Sequence, residues 1–299
     1  MLYLKEFSFP SVRTEEGFLN EIKRTCYNTY YPFRVLSDKE LDTLDFQPVT
    51  IFYGGNGSGK TTMLNIIAET IGAERDTLYN RSSFFEDYLE LCDHKTGLIK
   101  PKHIRCITSD DVFDFMLNIR SLNEGLDTNR QVLFQEYLDR KYSQFRLQSL
   151  DDYDQMKKVM EARRTTQSQF VRENMMNNVP EHSNGESAFI YFTEKIQDNG
   201  LYFLDEPENS LSPERQLELV EFLENSVRFF GCQIIMATHS PFLLSMKEAK
   251  IYDLDELPVT TKKWTDLPNV RTYYGFFKKH NTEFSRKDED GDVKTIYRS

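Results

Sequence analysis

Apolar residues along the 299-residue chain fall into two kinds of spacing. In "PVTIFY" (48–53), "LYFL" (201–204) and "QIIMA" (233–237) nearly every position is apolar, the pattern of strands buried on both faces of a parallel sheet. Elsewhere apolar residues recur every three or four positions. "KTTMLNIIAETIG" carries Met63, Ile66, Ile67 and Ile71 at helical spacing before Gly72. "SAFIYFTEKIQ" and "PERQLELVEFLENSVRFF" also read as helices, the second with Ser212 as N-cap and Pro213 at its first position. This alternation predicts an α/β fold whose mostly parallel sheet is covered on both faces. "LYLKEFSF" at the N-terminus alternates loosely and reads as a strand, and the polar, Tyr-rich stretch from Arg24 to Asp45 as loop and edge strands.

Between Ser109 and Pro180 the chain is polar and charged, with apolar residues at helix-like intervals and no Pro from 103 to 179. Several helices forming a lobe are expected over 109–180. Residues 278–299 are charged and are expected to be a mobile tail. No internal repeat is present.

Composition narrows the classes. The formal charge of −11 argues against a surface that coats nucleic acid, although a local basic patch remains open. Four cysteines, Cys26, Cys92, Cys106 and Cys232, form no C-x-x-C pair and have no His at metal spacing, so neither a disulfide framework nor a zinc site is indicated. No leader-like start and no apolar run long enough to span a bilayer is seen, so a reducing cytoplasm fits best and any membrane role would come from a partner.

The strand at 48–53 enters "GGNGSGKT", which matches G-x-x-x-x-G-K-[ST] between a strand and a helix, the context this phosphate-binding loop requires. Glycines let the backbone curl with its N–H groups inward, where with the helix N-terminus they cradle phosphate oxygens. Gly54, Gly55, Asn56, Gly57, Ser58, Gly59, Lys60, Thr61 and Thr62 are the candidate nucleotide contacts. Lys60 would reach the β- and γ-phosphates, and the Thr61 hydroxyl would ligate Mg²⁺.

"LYFLDEPENSLSP" sets Asp205 and Glu206 at the carboxyl end of a buried strand, the edge at which open parallel sheets bind ligands. Asp205 is the candidate for the Mg²⁺ shell and Glu206 for the general base that polarises water. "QIIMATHSPFLL" runs from the next strand into His239, a candidate γ-phosphate sensor or transition-state donor. Alone, a His at a strand end is an ordinary loop residue.

A fourth stretch, "HSNGES" (182–187), looks like a turn opening a helix. Ser183 lies 22 residues before Asp205, and His239 lies 34 after it. With the phosphate loop first, this order resembles that of the ATP-binding-cassette (ABC) ATPases, in particular the non-transporter branch of structural-maintenance-of-chromosomes (SMC) and DNA-repair proteins. His182, Ser183, Asn184, Gly185 and Glu186 fall where that family has its L-S-G-G-Q-like signature. The resemblance implies an ABC-type core, with an N-terminal antiparallel β subdomain and a helical lobe inserted between phosphate loop and signature, over a single domain of 1–299. It also implies two ATP molecules sandwiched in a head-to-tail homodimer, with Ser183, Asn184, Gly185 and Glu186 touching the partner's γ-phosphate. Asn209 to Ser212 match the family's dimer-contact segment. A Ser-Asn-Gly turn opening a helix suits an anion; a plain N-cap with Glu186 in the first turn fits the same residues.

Two features depart from the family. Its hinge Gln is missing at "IRCITSDDVF", where Asp110 or Asp111 is the candidate substitute. For the aromatic that stacks on adenine, Tyr31 and Phe33 are candidates, with core packing the stronger reading. The lobe is too short for a long coiled coil and looks like that of small bacterial "AAA family ATPase" proteins, many of which accompany an effector in anti-phage defence. The sequence thus leads to an ATP- and Mg²⁺-dependent ATPase switch acting with an effector from a neighbouring gene, in DNA maintenance or defence. The rivals are a transporter's ATP-binding subunit and a non-catalytic ATP-gated scaffold. "KKVMEARR" (157–164) reads as a solvated helix face and "DEDGD" (288–292) as solvated tail, whereas the basic, aromatic stretch after Thr261 leaves nucleic acid open.

Overall fold

The computed structural model describes residues 1–22, 26–41, 43–143, 157, 159–160, 164–175, 178 and 183–284. The chain divides into two compact units, Met1–Asp111 with Phe192–Ser299, and Val112–Tyr191.

The first unit is built on two sheets. Its elements in chain order are β1 (Leu4–Ser8), α1 (Val12–Glu21), β2 (Thr43–Asp45), β3 (Val49–Tyr53), α2 (Lys60–Thr70), α3 (Phe85–Leu89), β4 (Asp93–Thr96) and β5 (His103–Thr108). The chain then enters α4 (Ser109–Lys141), α5 (Gln167–Asn174) and α6 (Asn184–Lys195). It finishes with β6 (Gly200–Asp205), α7 (Pro213–Phe229), β7 (Gln233–Ala237), α8 (Pro241–Leu244), β8 (Lys250–Asp253), β9 (Thr260–Lys262), α9 (Pro268–Lys279) and α10 (Asn281–Phe284). The larger sheet has the order β5-β6-β7-β3-β8-β9; all neighbours are parallel except the edge pair β8 and β9. The smaller sheet, β2-β1-β4, is antiparallel. The expected α/β core and N-terminal antiparallel sheet are both present.

Strands β3, β6 and β7 are buried at every position, as their unbroken apolar runs require. Helix α2 covers the sheet with Met63, Leu64, Ile66 and Ile67, all fully buried. Each such side chain contributes about 1.5–3 kcal/mol through removal from water. One buried polar side chain splices the sheets together: Gln233 of β7 accepts from the Tyr3 and Leu4 amides at 2.7 and 2.9 Å and donates to the Leu4 carbonyl at 2.8 Å.

Helix α1 was not expected. It holds few apolar residues, and its buried position is the carboxylate of Glu15, which accepts from the Tyr88 hydroxyl at 3.2 Å and the Arg34 amide at 2.9 Å. A charged anchor of this kind leaves no periodic apolar signal. At the other end of the chain, Lys278 and Lys279 complete α9 and residues 281–284 form α10, so the expected tail is helical at its start. Residues 285–299 lie outside the described residues.

Of the several helices expected over 109–180, the first is one continuous helix, α4. No proline interrupts it, and Gly125 in its interior costs only about 1 kcal/mol relative to Ala. Helix α5 is capped by the Thr166 hydroxyl and packs Phe170 on Tyr137, ring centroids 5.6 Å apart, while the Tyr137 hydroxyl donates to the Thr165 carbonyl. Of "KKVMEARR", only Lys157, Val159, Met160 and Arg164 fall within the described residues. No helix of the described residues is long and apolar enough to cross a membrane.

Candidate active site

The carboxyl ends of β3, β6 and β7 lie side by side and carry the phosphate loop, the acidic pair and His239 respectively. The loop is shaped by glycines: Gly59 has φ 94°, and a Cβ there would sit 3.2 Å from Leu36 Cδ2, while a Cβ on Gly54 would meet Ser58 Oγ at 2.5 Å. Only glycine fits either position. Asp255, just past β8, braces the loop from behind by accepting from the Gly55 amide at 2.8 Å. Lys60 opens α2 and is nearly fully buried; its Nζ donates to the Gly54 and Gly55 carbonyls at 2.8 and 3.0 Å. The first amides of α2 have no intrahelical acceptor and are free to bind an anion.

Thr61 Oγ1 donates to Asp205 Oδ1 at 3.1 Å, which joins the loop to the end of β6. A hydroxyl and a carboxylate in contact are the hard oxygen donors that Mg²⁺ takes beside phosphate. Thr62, one residue on, accepts from the Tyr31 hydroxyl at 3.2 Å. Tyr31 is half-buried, and burial pushes its phenol up. Phe33 stacks on Phe18 at 5.0 Å and meets Tyr88 edge-on at 4.9 Å, so it is a core residue.

Glu206 follows with φ 47°, a left-handed conformation that a non-glycine residue adopts at a cost. Its amide donates to the Ala237 carbonyl at 2.9 Å, and its Oε2 accepts from Asn209 Nδ2 at 3.1 Å. Oε1 lies 4.0 Å from Nδ1 of His239, whose side chain is 48% exposed. His239 is fixed by a residue the sequence did not single out. Glu208 is buried, and its Oε1 accepts from Thr238 Oγ1 at 2.7 Å and from the His239 and Ser240 amides at 3.0 and 3.2 Å. In "DEPENS" it reads as one more acid of a solvated turn; only the fold brings it to residues thirty positions on. Asn269, at the start of α9, completes the clamp by donating to the His239 carbonyl at 2.7 Å.

Burial pushes Asp205 up to about 6; Thr61 and Lys60 act against the rise, and Glu206 and Glu208 add to it. Between about pH 4 and 6 the folded state therefore keeps a proton that the unfolded chain has lost. Stability falls as pH rises through that window, and at neutral pH the ionised group costs up to about 3 kcal/mol. Asp205→Asn should raise the melting temperature of the nucleotide-free protein at pH 7.5 by about 2–6 °C and reduce its loss of stability between pH 5 and 7. A lower melting temperature at pH 7.5 would show that the carboxylate is not the strained partner.

Ser183, Asn184, Gly185 and Glu186 belong to the other unit, where they form a reciprocal cap on α6. Ser183 Oγ accepts from the Glu186 amide at 3.3 Å, and Glu186 Oε2 accepts from the Ser183 amide at 3.1 Å. Asn184 Oδ1 accepts from Arg120 of α4 at 2.6 Å. His182 lies outside the described residues. At the start of α4, Asp110 is exposed, whereas Asp111 is buried and caps the helix: its Oδ2 accepts from the Thr108 amide and hydroxyl at 2.6 and 3.0 Å. The T-x-x-D spacing of "TSDD" carries that signal in the sequence.

Residues 101–245 match the family model described as "AAA domain, putative AbiEii toxin, Type IV TA system". The match contains Ser183, Asp205, Glu206 and His239, and the phosphate loop precedes it. That match spans just under half of the chain. Solved structures similar to this chain include the Smc head domain with an extended coiled coil bound to the C-terminal domain of ScpA, from Pyrococcus furiosus, at 10% identity and a TM-score of 0.42, covering 94% of this chain and 100% of that one. Another is the dimeric post-hydrolysis state of the ATP-binding cassette MJ0796 bound to ADP and Pi, at 14% identity and a TM-score of 0.35, covering 76% and 92%. No curated protein sequence matches the chain.

Proposed function

We propose that the chain binds ATP with Mg²⁺, hydrolyses it as an ATP-sandwich homodimer, and serves as a nucleotide-driven switch for a separate effector protein. The reading is carried by the contact of Thr61 with Asp205 beside Lys60, with Glu206 held next to His239 on the same sheet edge. Lys60 would exchange the Gly54 and Gly55 carbonyls for β- and γ-phosphate oxygens. Thr61 and Asp205 would hold Mg²⁺, whose charge offsets that building on the phosphates. Glu206 would take the proton of the attacking water, with Asn209 occupying one carboxylate oxygen. His239, steadied by Glu208 and Asn269, would donate towards the γ-phosphate. Tyr31, bonded to Thr62, is the better placed of the two adenine candidates, because Phe33 is committed to the core.

The homodimer rests on the motif order in the sequence, with the Ser183 turn reading the γ-phosphate held by a second copy. An effector in anti-phage defence or DNA maintenance, acting in the cytoplasm, rests on the sequence resemblance, and the matched family description adds the wording of a toxin–antitoxin system. Phosphate release from Mg·ATP tests the chemistry: the wild-type chain should turn over, and Lys60→Ala should fall to background. Wild-type release no faster than in buffer would overturn the hydrolase reading.

A further inference from the structure

We infer that α9 and the preceding Trp264 bind unpaired bases of single-stranded nucleic acid, and that Asn269 links this surface to the candidate active site. Among the described residues, helix α9 is buried at its start, where Leu267 and Val270 are covered. The rest of the helix leaves Tyr273, Tyr274, Phe276 and Phe277 each about half exposed, a contiguous aromatic surface of a kind that marks binding sites. Trp264, Tyr273, Tyr274 and Phe277 wall a cavity of about 540 Å³ whose other side includes His239 and Glu208. That volume lies in the range of small-ligand pockets and accepts a nucleotide-sized group.

Charge selects the occupant. From Thr261 to Phe284 there are five Lys or Arg against two Asp or Glu, in a chain whose formal charge is −11. Arg271 and Lys278 each lie 5.8 Å from the Tyr274 ring, so cations flank an exposed stacking platform. Aromatic faces interleaved with cations suit bases joined by phosphates, and duplex DNA keeps its bases stacked inside and away from such a platform. Glu208 adds an acceptor for a base amino group: its Oε2 is buried and has no hydrogen-bond partner among the described residues.

Asn269 couples the surface to the site. Its side chain donates to the His239 carbonyl at 2.7 Å and its amide to the Tyr53 hydroxyl at 3.2 Å, where β3 ends before the phosphate loop. A displacement of α9 on binding is therefore felt at both. The coupling rests on the ATPase reading, whereas the binding does not.

The test uses the full chain without ATP and follows the anisotropy of a fluorescein-labelled 20-nucleotide oligothymidylate and of a duplex of equal length. The single strand should bind at least about 10-fold more tightly than the duplex and weaken between 50 and 200 mM salt. The double variant Tyr274→Ala, Phe277→Ala should lose about 10-fold or more in affinity, Tyr274→Trp should retain it, and Lys278→Gln should reduce the salt dependence. Absence of single-strand binding at 50 mM salt, as for a surface that docks only a protein, would overturn the inference, as would binding unchanged in the double aromatic variant. For the coupling, oligothymidylate should alter phosphate release by the wild type and not by Asn269→Ala, although both bind it. The same response in both proteins would remove Asn269 from the link.

Discussion

Glu206→Gln should lower steady-state ATP turnover by roughly two to four orders of magnitude while leaving ATP affinity within a few-fold of wild type. Glutamine is isosteric, and its carbonyl oxygen can keep accepting from Asn209, so the left-handed backbone at 206 and its amide bond to Ala237 are retained. What disappears is the capacity to take a proton from water. Phosphate release under saturating Mg·ATP, set beside nucleotide binding by calorimetry, separates the two effects. Turnover near the wild-type rate would move the general base to another residue, with His239, 4.0 Å away, the first to examine.

The second large effect is expected at Ser183. Its hydroxyl caps α6, and loss of that bond alone costs about 1 kcal/mol. Ser183→Asp keeps a side-chain oxygen able to cap the helix and adds a negative charge where the proposed dimer brings a γ-phosphate. The variant should retain its melting temperature to within a few degrees and bind ATP as a monomer, yet lose turnover by about 100-fold or more. Wild-type turnover in Ser183→Asp would reduce the "HSNGES" turn to a structural cap.

Three inner strands of the larger sheet were legible because they are written in local patterns. β3, β6 and β7 are continuous apolar runs, and each carries its candidate site residues at or just past its carboxyl end. The phosphate loop was legible for the same reason, since strand, glycine turn and helix are contiguous in sequence. What could not be read are the long-range polar contacts that hold the site. Asp255 reaches Gly55 across 200 residues, Glu208 reaches the 238–240 turn across about thirty, and Asn269 reaches His239 across another thirty. Each is an ordinary polar residue of a loop or helix start until the fold supplies its partner. Helix α1 escaped for a related reason, because its one fully buried side chain is the carboxylate of Glu15, and Phe18 and Leu19 are too few to set a repeating apolar pattern. The continuity of α4 is a matter of counting stops: no proline falls between 103 and 179 to divide the helix.

In the proposed function ATP joins two copies of the chain, and sedimentation velocity of Glu206→Gln tests this most directly. With ATP and Mg²⁺ the variant, unable to hydrolyse what it binds, should pass from monomer to dimer, and Ser183→Asp added to it should restore the monomer. A Glu206→Gln protein that binds ATP with wild-type affinity and stays monomeric at tens of micromolar would contradict the account.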